Sequence, residues 1–548
     1  MPSDTSNDAP RPNILWISLE DTSPRFGCTG DPIARTPNID ALAAAGCRYA
    51  NAFSTAGVCA PSRAAIITGM YQTAIGAHHM RTTHRNEHVP EMATPYEAVP
   101  PPYVKCFPEY LRAAGYFCTN NEKTDYQFAP PRTAWDQCGK HGHWRNRPDP
   151  SQPFFAVFNP TLTHESGMWP KDGEQIVTDP NAVTLPPYLP DTPKTRLALA
   201  RHYDNLARAD ERVGQLLAEL EEDGLAEDTL VVLWSDHGEG LPRGKRWPND
   251  AGTHVPLIVR WPGRVNAGIV RSEIVSLIDL APTMLHLAGV PAPRHLQGRA
   301  FLDADGQPPA DIPFREYAFA CKDRMDEAYD RVRSVRDDRF RYVRNFHPEL
   351  PYESWIPYRN RHPVMQELWR LKAEGALEGP QSLLMQDRRP PEELYDIRAD
   401  PWETNNLADA PAYRETLRRM RAALDDWTAR YDVYGDVPEA EMAARFWPGG
   451  QQPVTAPPLF VPLGGSAEGT EPVTSEATFA GPLLVQMFCA TQGASIAYTM
   501  EPGEDAHWRL YTGPIRLAPG ETVTLRARAC RLGYRESDER MVTITAAG

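Results

Sequence analysis

The chain has no run of 18 apolar residues, so no segment is long enough to cross a bilayer as a helix. It opens Met1-Pro2-Ser3-Asp4, with neither a basic start nor an apolar stretch. That is no secretory signal, and a cytoplasmic location is the expectation, periplasmic if the N-terminus has been trimmed. None of the nine cysteines forms a Cys-x-x-Cys pair, and the count is odd. Structural zinc is thereby disfavoured, and the cysteines read as reduced thiols. Positive charge is also scarce. The formal net charge is −15 with no basic block, which argues against nucleic acid as a partner. No internal repeat is present.

What remains is an ordinary globular composition, 41% hydrophobic, in 548 residues, enough for two to four domains. Apolar runs at 13–19, 116–119, 154–159, 229–234 and 256–261 predict strands buried on both faces. The clearest helix is 197–222, where Leu199, Tyr203, Leu206, Val213, Leu217 and Leu220 recur at three- and four-residue steps with one seven-residue gap, and Gly224 stands as a stop signal. Strands alternating with helices predict an α/β sandwich around a mostly parallel sheet over 12–310, after a disordered tail at 1–11. Residues 311–435 read as a smaller α+β subdomain, with strands within 331–343 and 392–396 and a helix at 412–431. Residues 436–478, rich in Pro, Gly, Ala and Glu, read as a linker. In 479–548, alternating segments such as 495–499 and 522–527 predict a small β-sandwich.

The strongest chemical signal is Cys59-Ala60-Pro61-Ser62-Arg63, followed by an apolar run ending at Gly69. Pro61 suits the first turn of a helix. Cys59 then sits at a helix N-terminus, where the dipole and free N–H groups favour an anion, and Arg63 can point back from one turn on. Two acidic pairs stand at the ends of predicted strands: Glu20-Asp21 and Asp236-His237. Ligand sites of open α/β sheets lie beyond the carboxyl ends of the strands, so both pairs should converge there with Cys59. Several carboxylates suit a hard cation such as calcium or magnesium. Three cationic candidates, Lys123, His164 and Lys245, also follow strands. Alone, each acid reads as a turn or cap and each cation as a solvated charge; their common position is what counts.

The Cys59 pentapeptide resembles the signature of the formylglycine-dependent sulfatases of the alkaline phosphatase superfamily. The resemblance covers roughly residues 12–430. It implies that a formylglycine-generating enzyme converts the Cys59 thiol to an aldehyde, whose hydrate attacks sulfur. Glu20, Asp21, Asp236 and His237 become ligands of calcium, with magnesium or manganese as alternatives. Glu20 and His237 depart from the usual Asp and Asn. Arg63, Lys123, His164 and Lys245 become the groups that grip sulfate and serve the leaving group. Many relatives carry a histidine two residues after the first lysine; here that place is Asp125, so the base that releases sulfate is Asp125 itself or His141 or His143 from the following loop. Residues 13–24, 123–126 and 143–147 are most similar to bacterial relatives of heparan N-sulfatase, which implies a sulfated amino sugar or another sulfated small molecule or carbohydrate. The tail from about 479 resembles the small β-domain that follows some chitobiase-like glycosidases, and self-association into a homo-oligomer stays open. Two further readings stand beside this one: a phosphonate monoester hydrolase or phosphodiesterase on the same fold, and a binding protein with a relic site.

Overall fold

The structure, a computed structural model, describes residues 11–85, 89–467, 469 and 471–548. The tail expected at 1–11 lies, apart from Arg11, outside the described residues. The central sheet has nine strands: β1 Asn13–Leu19, β2 Cys47–Phe53, β3 Phe117–Asn121, β4 Gln137–Cys138, β5 Phe154–Phe158, β6 Thr229–Ser235, β7 His254–Val255, β8 Leu257–Arg260 and β9 Ile269–Ser276. They run in the order β4-β3-β5-β1-β6-β8-β2-β7, with β9 on β2. The first five in that order are parallel, β8 is antiparallel to β6, and β2 and β9 pair in parallel.

Period-2 alternation explains why the central strands are apolar throughout. Ile14, Trp16, Phe155, Val157, Val232 and Trp234 face one apolar layer. Leu15, Ile17, Leu19, Ala156, Phe158, Val231 and Leu233 face the other. The first layer receives the Cys59–Thr68 helix, buried at all ten positions. The second receives the Pro193–Glu222 helix through Leu206, Val213, Leu216 and Leu220. The seven-residue gap in that helix's pattern is filled by buried Ala209 and Asp210. The Asp210 carboxylate accepts from the backbone N–H groups of Ile39 at 2.8 Å and Asn38 at 3.2 Å, at the start of the Pro37–Ala44 helix. Gly224, in the left-handed region at φ 69°, ends the helix as expected.

A four-stranded antiparallel sheet follows, in the order β10 Ala318–Lys322, β11 Val332–Arg336, β12 Phe340–Asn345 and β13 Glu392–Asp396. It is backed by the helix Arg414–Tyr431, whose Leu417, Met420, Leu424 and Trp427 are buried. The expectation of a linker at 436–478 is corrected. Glu439–Phe446 is a helix whose Met442 and Phe446 join the layer that holds the Cys59 helix, and Glu439 accepts from buried Arg324 at 2.6 and 2.7 Å. Met442 and Phe446, one helical turn apart, are the periodicity that the Pro- and Gly-rich surroundings conceal.

The small domain begins at β14 Leu459–Leu463, not near 479. β14, β16 Leu483–Phe488 and β19 Ile515–Leu517 form one sheet. β15 Glu476–Ala480, β21 Arg540–Ala547, β20 Thr522–Cys530, β17 Ser495–Thr499 and β18 Arg509–Leu510 form the other. Their inner faces share one apolar cluster. The domain docks beside β3 and β4. Lys105 Nζ donates to the Gly493 carbonyl at 2.7 Å, Arg112 donates to the Trp508 carbonyl at 2.6 Å, and His507 lies 3.0 Å from Asp136.

Candidate active site

The parallel register of β1 and β6 places Leu19 opposite Ser235, so the residues that follow, Glu20-Asp21 and Asp236-His237, meet at the carboxyl edge of the sheet. All four side chains are completely buried. Asp21 turns its carboxylate through a left-handed backbone conformation, φ 47°, and its N–H donates to Asp236 Oδ1 at 3.2 Å. The Cys59 helix points its first residue at the same place. Cys59 Sγ lies 3.2 Å from Glu20 Oε1, 3.3 Å from His237 Nε2 and 3.9 Å from Asp21 Oδ1. Both acidic pairs and the cysteine are thus brought together as the sequence suggested.

Arg63 is held on three sides: Nε donates to Asp236 Oδ2 at 2.9 Å, one terminal nitrogen to Asn159 Oδ1 at 2.8 Å, and the other to Ser18 Oγ at 3.2 Å. Lys123 donates to Glu20 and lies 3.7 Å from Asp125. Lys245 donates to Asp21 Oδ2 at 2.8 Å. His164 belongs to the same group, since one donor atom from each of Glu20, Asp21, Cys59 and His164 falls within 4.8 Å of the others. Its Nδ1 accepts the Ser166 N–H at 3.3 Å and lies 2.8 Å from the Ser166 hydroxyl. In the neutral ring that leaves the proton on Nε2. Three carboxylates and three cations therefore interlock around Cys59, which is how a strongly acidic chain makes a local site for an anion.

The donor set fits a hard cation. Glu20 Oε2 is buried without a hydrogen-bond partner, and two groups of ligand atoms, one with Glu20, Asp21 and His164 and the other with Asp236 and His237, meet at Cys59. The His237 Nδ1 lies 2.9 Å from the Gly238 carbonyl and donates to it, which turns Nε2 towards Asp21 Oδ1 at 3.0 Å. Burial opposes charge on His237, yet Asp236, Asp21 and Cys59 outweigh it and hold its pKa well above the ordinary imidazole value. The Cys59 thiol is pushed up, by burial first; Lys123 and Lys245 pull it down and Glu20 and Asp236 push it up again. The unmodified thiol is therefore protonated at neutral pH and a poor nucleophile.

His143 corrects its expectation. Its Nε2 lies 3.0 Å from Glu219, its Nδ1 accepts the Arg145 N–H at 3.1 Å, and its ring packs on Trp144 and Phe158. It caps a short helical turn against the Pro193–Glu222 helix, and none of these partners belongs to the Cys59 group. His141 is exposed. Asp125, beside Lys123, stays on the site side.

Glu165 and Arg246 were not found from sequence. The buried Glu165 carboxylate receives Arg246 at 2.9 Å on both oxygens and lies 3.2 Å from Lys245, while its N–H donates to Asp21 Oδ2 at 2.7 Å. Each is the immediate neighbour of a singled-out residue, His164 and Lys245, and of opposite charge to the other; that adjacency was the available signal. The loop bearing Lys245 and Arg246 reaches Cys59 because residue 57 is glycine: a Cβ there would lie 2.3 Å from the Trp247 carbonyl, and the Arg246 N–H donates to the Gly57 carbonyl at 2.6 Å.

Comparison with known proteins agrees with this geometry. The chain matches the sulfatase family over residues 12–146 and 139–290, and the C-terminal family of N-sulphoglucosamine sulphohydrolase over 238–358. The chain belongs to the sulfatase family, and it is a sulfuric ester hydrolase or sulfamidase on an alkaline-phosphatase-like α/β fold. Within the family it is 40% identical to an ulvan-active sulfatase of Formosa agariphila, over 96% of this chain and 90% of that protein. It is 28% identical to human N-sulphoglucosamine sulphohydrolase, over 76% of this chain and 89% of that one. A solved structure of a protein bound to its substrate D-glucosamine-2-N,6-O-disulfate aligns with TM-score 0.54 and 19% identity, covering 78% of this chain and 99% of that one. A phosphonate monoester hydrolase from Silicibacter pomeroyi aligns with TM-score 0.55 and 20% identity, over 77% and 96%. Both show the shared fold.

Proposed function

We propose that the enzyme hydrolyses the sulfate ester or sulfamate of a sulfated carbohydrate, using a formylglycine made from Cys59 and a calcium ion held by Glu20, Asp21, Asp236 and His237, and releases inorganic sulfate. The observation that carries this reading is Cys59 Sγ itself, set 3.2–3.9 Å from three of those four residues and flanked by buried cations. The relatives' names, ulvan-active sulfatase and N-sulphoglucosamine sulphohydrolase, direct the choice of sugar, with sulfated amino sugars first to be assayed. Bound there, calcium, or magnesium or manganese in its place, would make a hydroxyl at residue 59 more acidic and offset the sulfate charge. The hydrated aldehyde supplies that hydroxyl as nucleophile. Arg63, Lys123 and Lys245 hold the sulfate oxygens and stabilise the charge that builds on them. Asp125, 3.7 Å from Lys123, is our candidate to take the proton of the second hydroxyl. The test is a paired assay, on protein coexpressed with a formylglycine-generating enzyme, of aryl sulfate against aryl phosphonate ester. A higher kcat/KM for the sulfate is expected; the reverse order would move the assignment to phosphonate hydrolysis.

His164 presents Nε2 to the site and serves as the proton donor to the leaving oxygen or nitrogen. Burial, and then Lys245, push its pKa below the ordinary imidazole value, against the opposing pull of Asp21 and Glu20. A general acid must be protonated, and kcat/KM reports the free enzyme. kcat/KM should therefore fall as pH rises through that lowered value, on the acid side of the usual imidazole range. In a His164→Gln variant this limb should disappear from the pH profile.

A further inference from the structure

Charge does not stop at the metal-binding group. From Asp21 it runs outward through Lys245, Glu165 and Arg246 to Asp326, whose Oδ2 lies 3.6 Å from Arg246, and ends at Arg81. Arg81 differs from Lys245 and Arg246, the other cations of this network, which are buried and hydrogen-bonded. Its Nε stands 4.0 Å from Asp326 Oδ1, too far for a hydrogen bond, and its side chain is 39% exposed. That carboxylate is already shared with Arg246, so the pair contributes little to stability. Burial works against the Arg81 charge, but Asp125, Cys59, Asp326 and Tyr358 outweigh it and raise its pKa.

Its position is nevertheless built with care. Arg81 at φ 60° and Asp326 at φ 50° are both held in the left-handed region, as are Asp21, Asp125 and Arg246 of the same group. Non-glycine residues persist there only when their surroundings enforce it, and they gather at ligand sites. The enforcing group is Arg324, wholly buried on Glu439: one of its nitrogens donates to the Met80 carbonyl at 2.8 Å and to the Asp326 carbonyl at 2.5 Å. The Met80 N–H donates to the Arg324 carbonyl at 2.9 Å, and the Thr82 carbonyl accepts the Tyr96 N–H at 2.7 Å. Both neighbours of Arg81 are thus fixed while its head stays free. Beside it, Tyr358 packs on Trp169 with ring centroids 5.0 Å apart, and a second cation, Arg361, lies over the Trp169 ring at 4.2 Å.

We propose that Arg81 binds a second oxyanion, carboxylate or sulfate, carried by the same sugar chain as the scissile sulfate, so that the enzyme selects polyanionic carbohydrates. The inference rests on the sulfatase reading of the Cys59 site. The experiment compares kcat/KM for an aryl sulfate, a sulfated disaccharide bearing a uronate, and a disulfated amino sugar, in wild type, Arg81→Gln and Arg81→Lys. Each ratio of sugar to aryl sulfate is taken within one preparation and is therefore independent of the folded fraction. Arg81→Gln should lower the ratio for at least one sugar by roughly tenfold or more, mainly through KM. Arg81→Lys should recover part of it, because the charge returns without the planar fork. A fall for the uronate alone assigns a carboxylate; a fall for the disulfate alone assigns a sulfate. Ratios unchanged within about twofold for both sugars would overturn the proposal, since a lost charge-assisted contact exceeds that. Wild type that cleaves the aryl sulfate but neither sugar would also overturn it and leave the sulfatase chemistry standing. Wild type with residue 59 converted yet inactive on all three would overturn both.

Discussion

Cys59→Ala should lose sulfate release by roughly three orders of magnitude or more while still binding the metal, because removing a covalent nucleophile has effects of that size. The small side chain fits, since Cys59 is the first residue of a buried helix whose next members include Ala60, Ala64 and Ala65. Three of the four proposed metal ligands keep their mutual contacts without the thiol: Asp21 with His237 at 3.0 Å, and the Asp21 N–H with Asp236 at 3.2 Å. Thermal unfolding with and without calcium should therefore show the same stabilisation in variant and wild type, which separates lost chemistry from lost structure. Unconverted wild type should resemble the variant. Its thiol is kept protonated by burial and by Glu20 and Asp236 despite Lys123 and Lys245, so it cannot replace the aldehyde hydrate.

Glu165→Gln should have the next largest effect, on stability and on metal requirement together. The carboxylate is buried between Arg246 and Lys245. Neutralising one member of such a buried network leaves the others uncompensated and costs about 3 kcal/mol. The consequence reaches the metal through Lys245. With Glu165 neutral, the ammonium has only Asp21 Oδ2, at 2.8 Å, to answer its charge, and so competes with a cation for that carboxylate. The concentration of calcium for half-maximal activity should rise about tenfold, the equivalent of 1.4 kcal/mol. A lower unfolding temperature with an unchanged calcium requirement would show Glu165 to be structural only.

The parts of the fold that the sequence announces are those with one physical cause. Strands buried on both faces are apolar at every position, and β1, β5 and β6 lie where the runs predicted. β2 and β9 escaped because each carries polar, partly exposed residues, among them Arg48, Asn51, Arg271 and Glu273. The helix at 439–446 escaped because its two buried anchors are set among Pro, Gly and Ala. In the site, residues that end strands were legible, since strand order alone carries them to one edge. Glu165 and Arg246 were not: they are 81 residues apart, and only folding shows that their charges cancel in the interior. His143 was misplaced for the converse reason. It stands near Lys123 in sequence, but its loop folds onto the Pro193–Glu222 helix, where Glu219 holds it.

On this account catalysis belongs to the aldehyde at residue 59. The most direct test is turnover measured against the fraction of Cys59 converted, in preparations coexpressed with graded amounts of a formylglycine-generating enzyme. Conversion is read by peptide mass spectrometry as a residue about 18 Da lighter, hydrogen sulfide lost and one oxygen gained, in the nucleophile-forming step. Sulfate release should rise in proportion to that fraction and extrapolate to nearly zero for the unconverted thiol. Turnover that stays constant while the converted fraction varies would contradict the account.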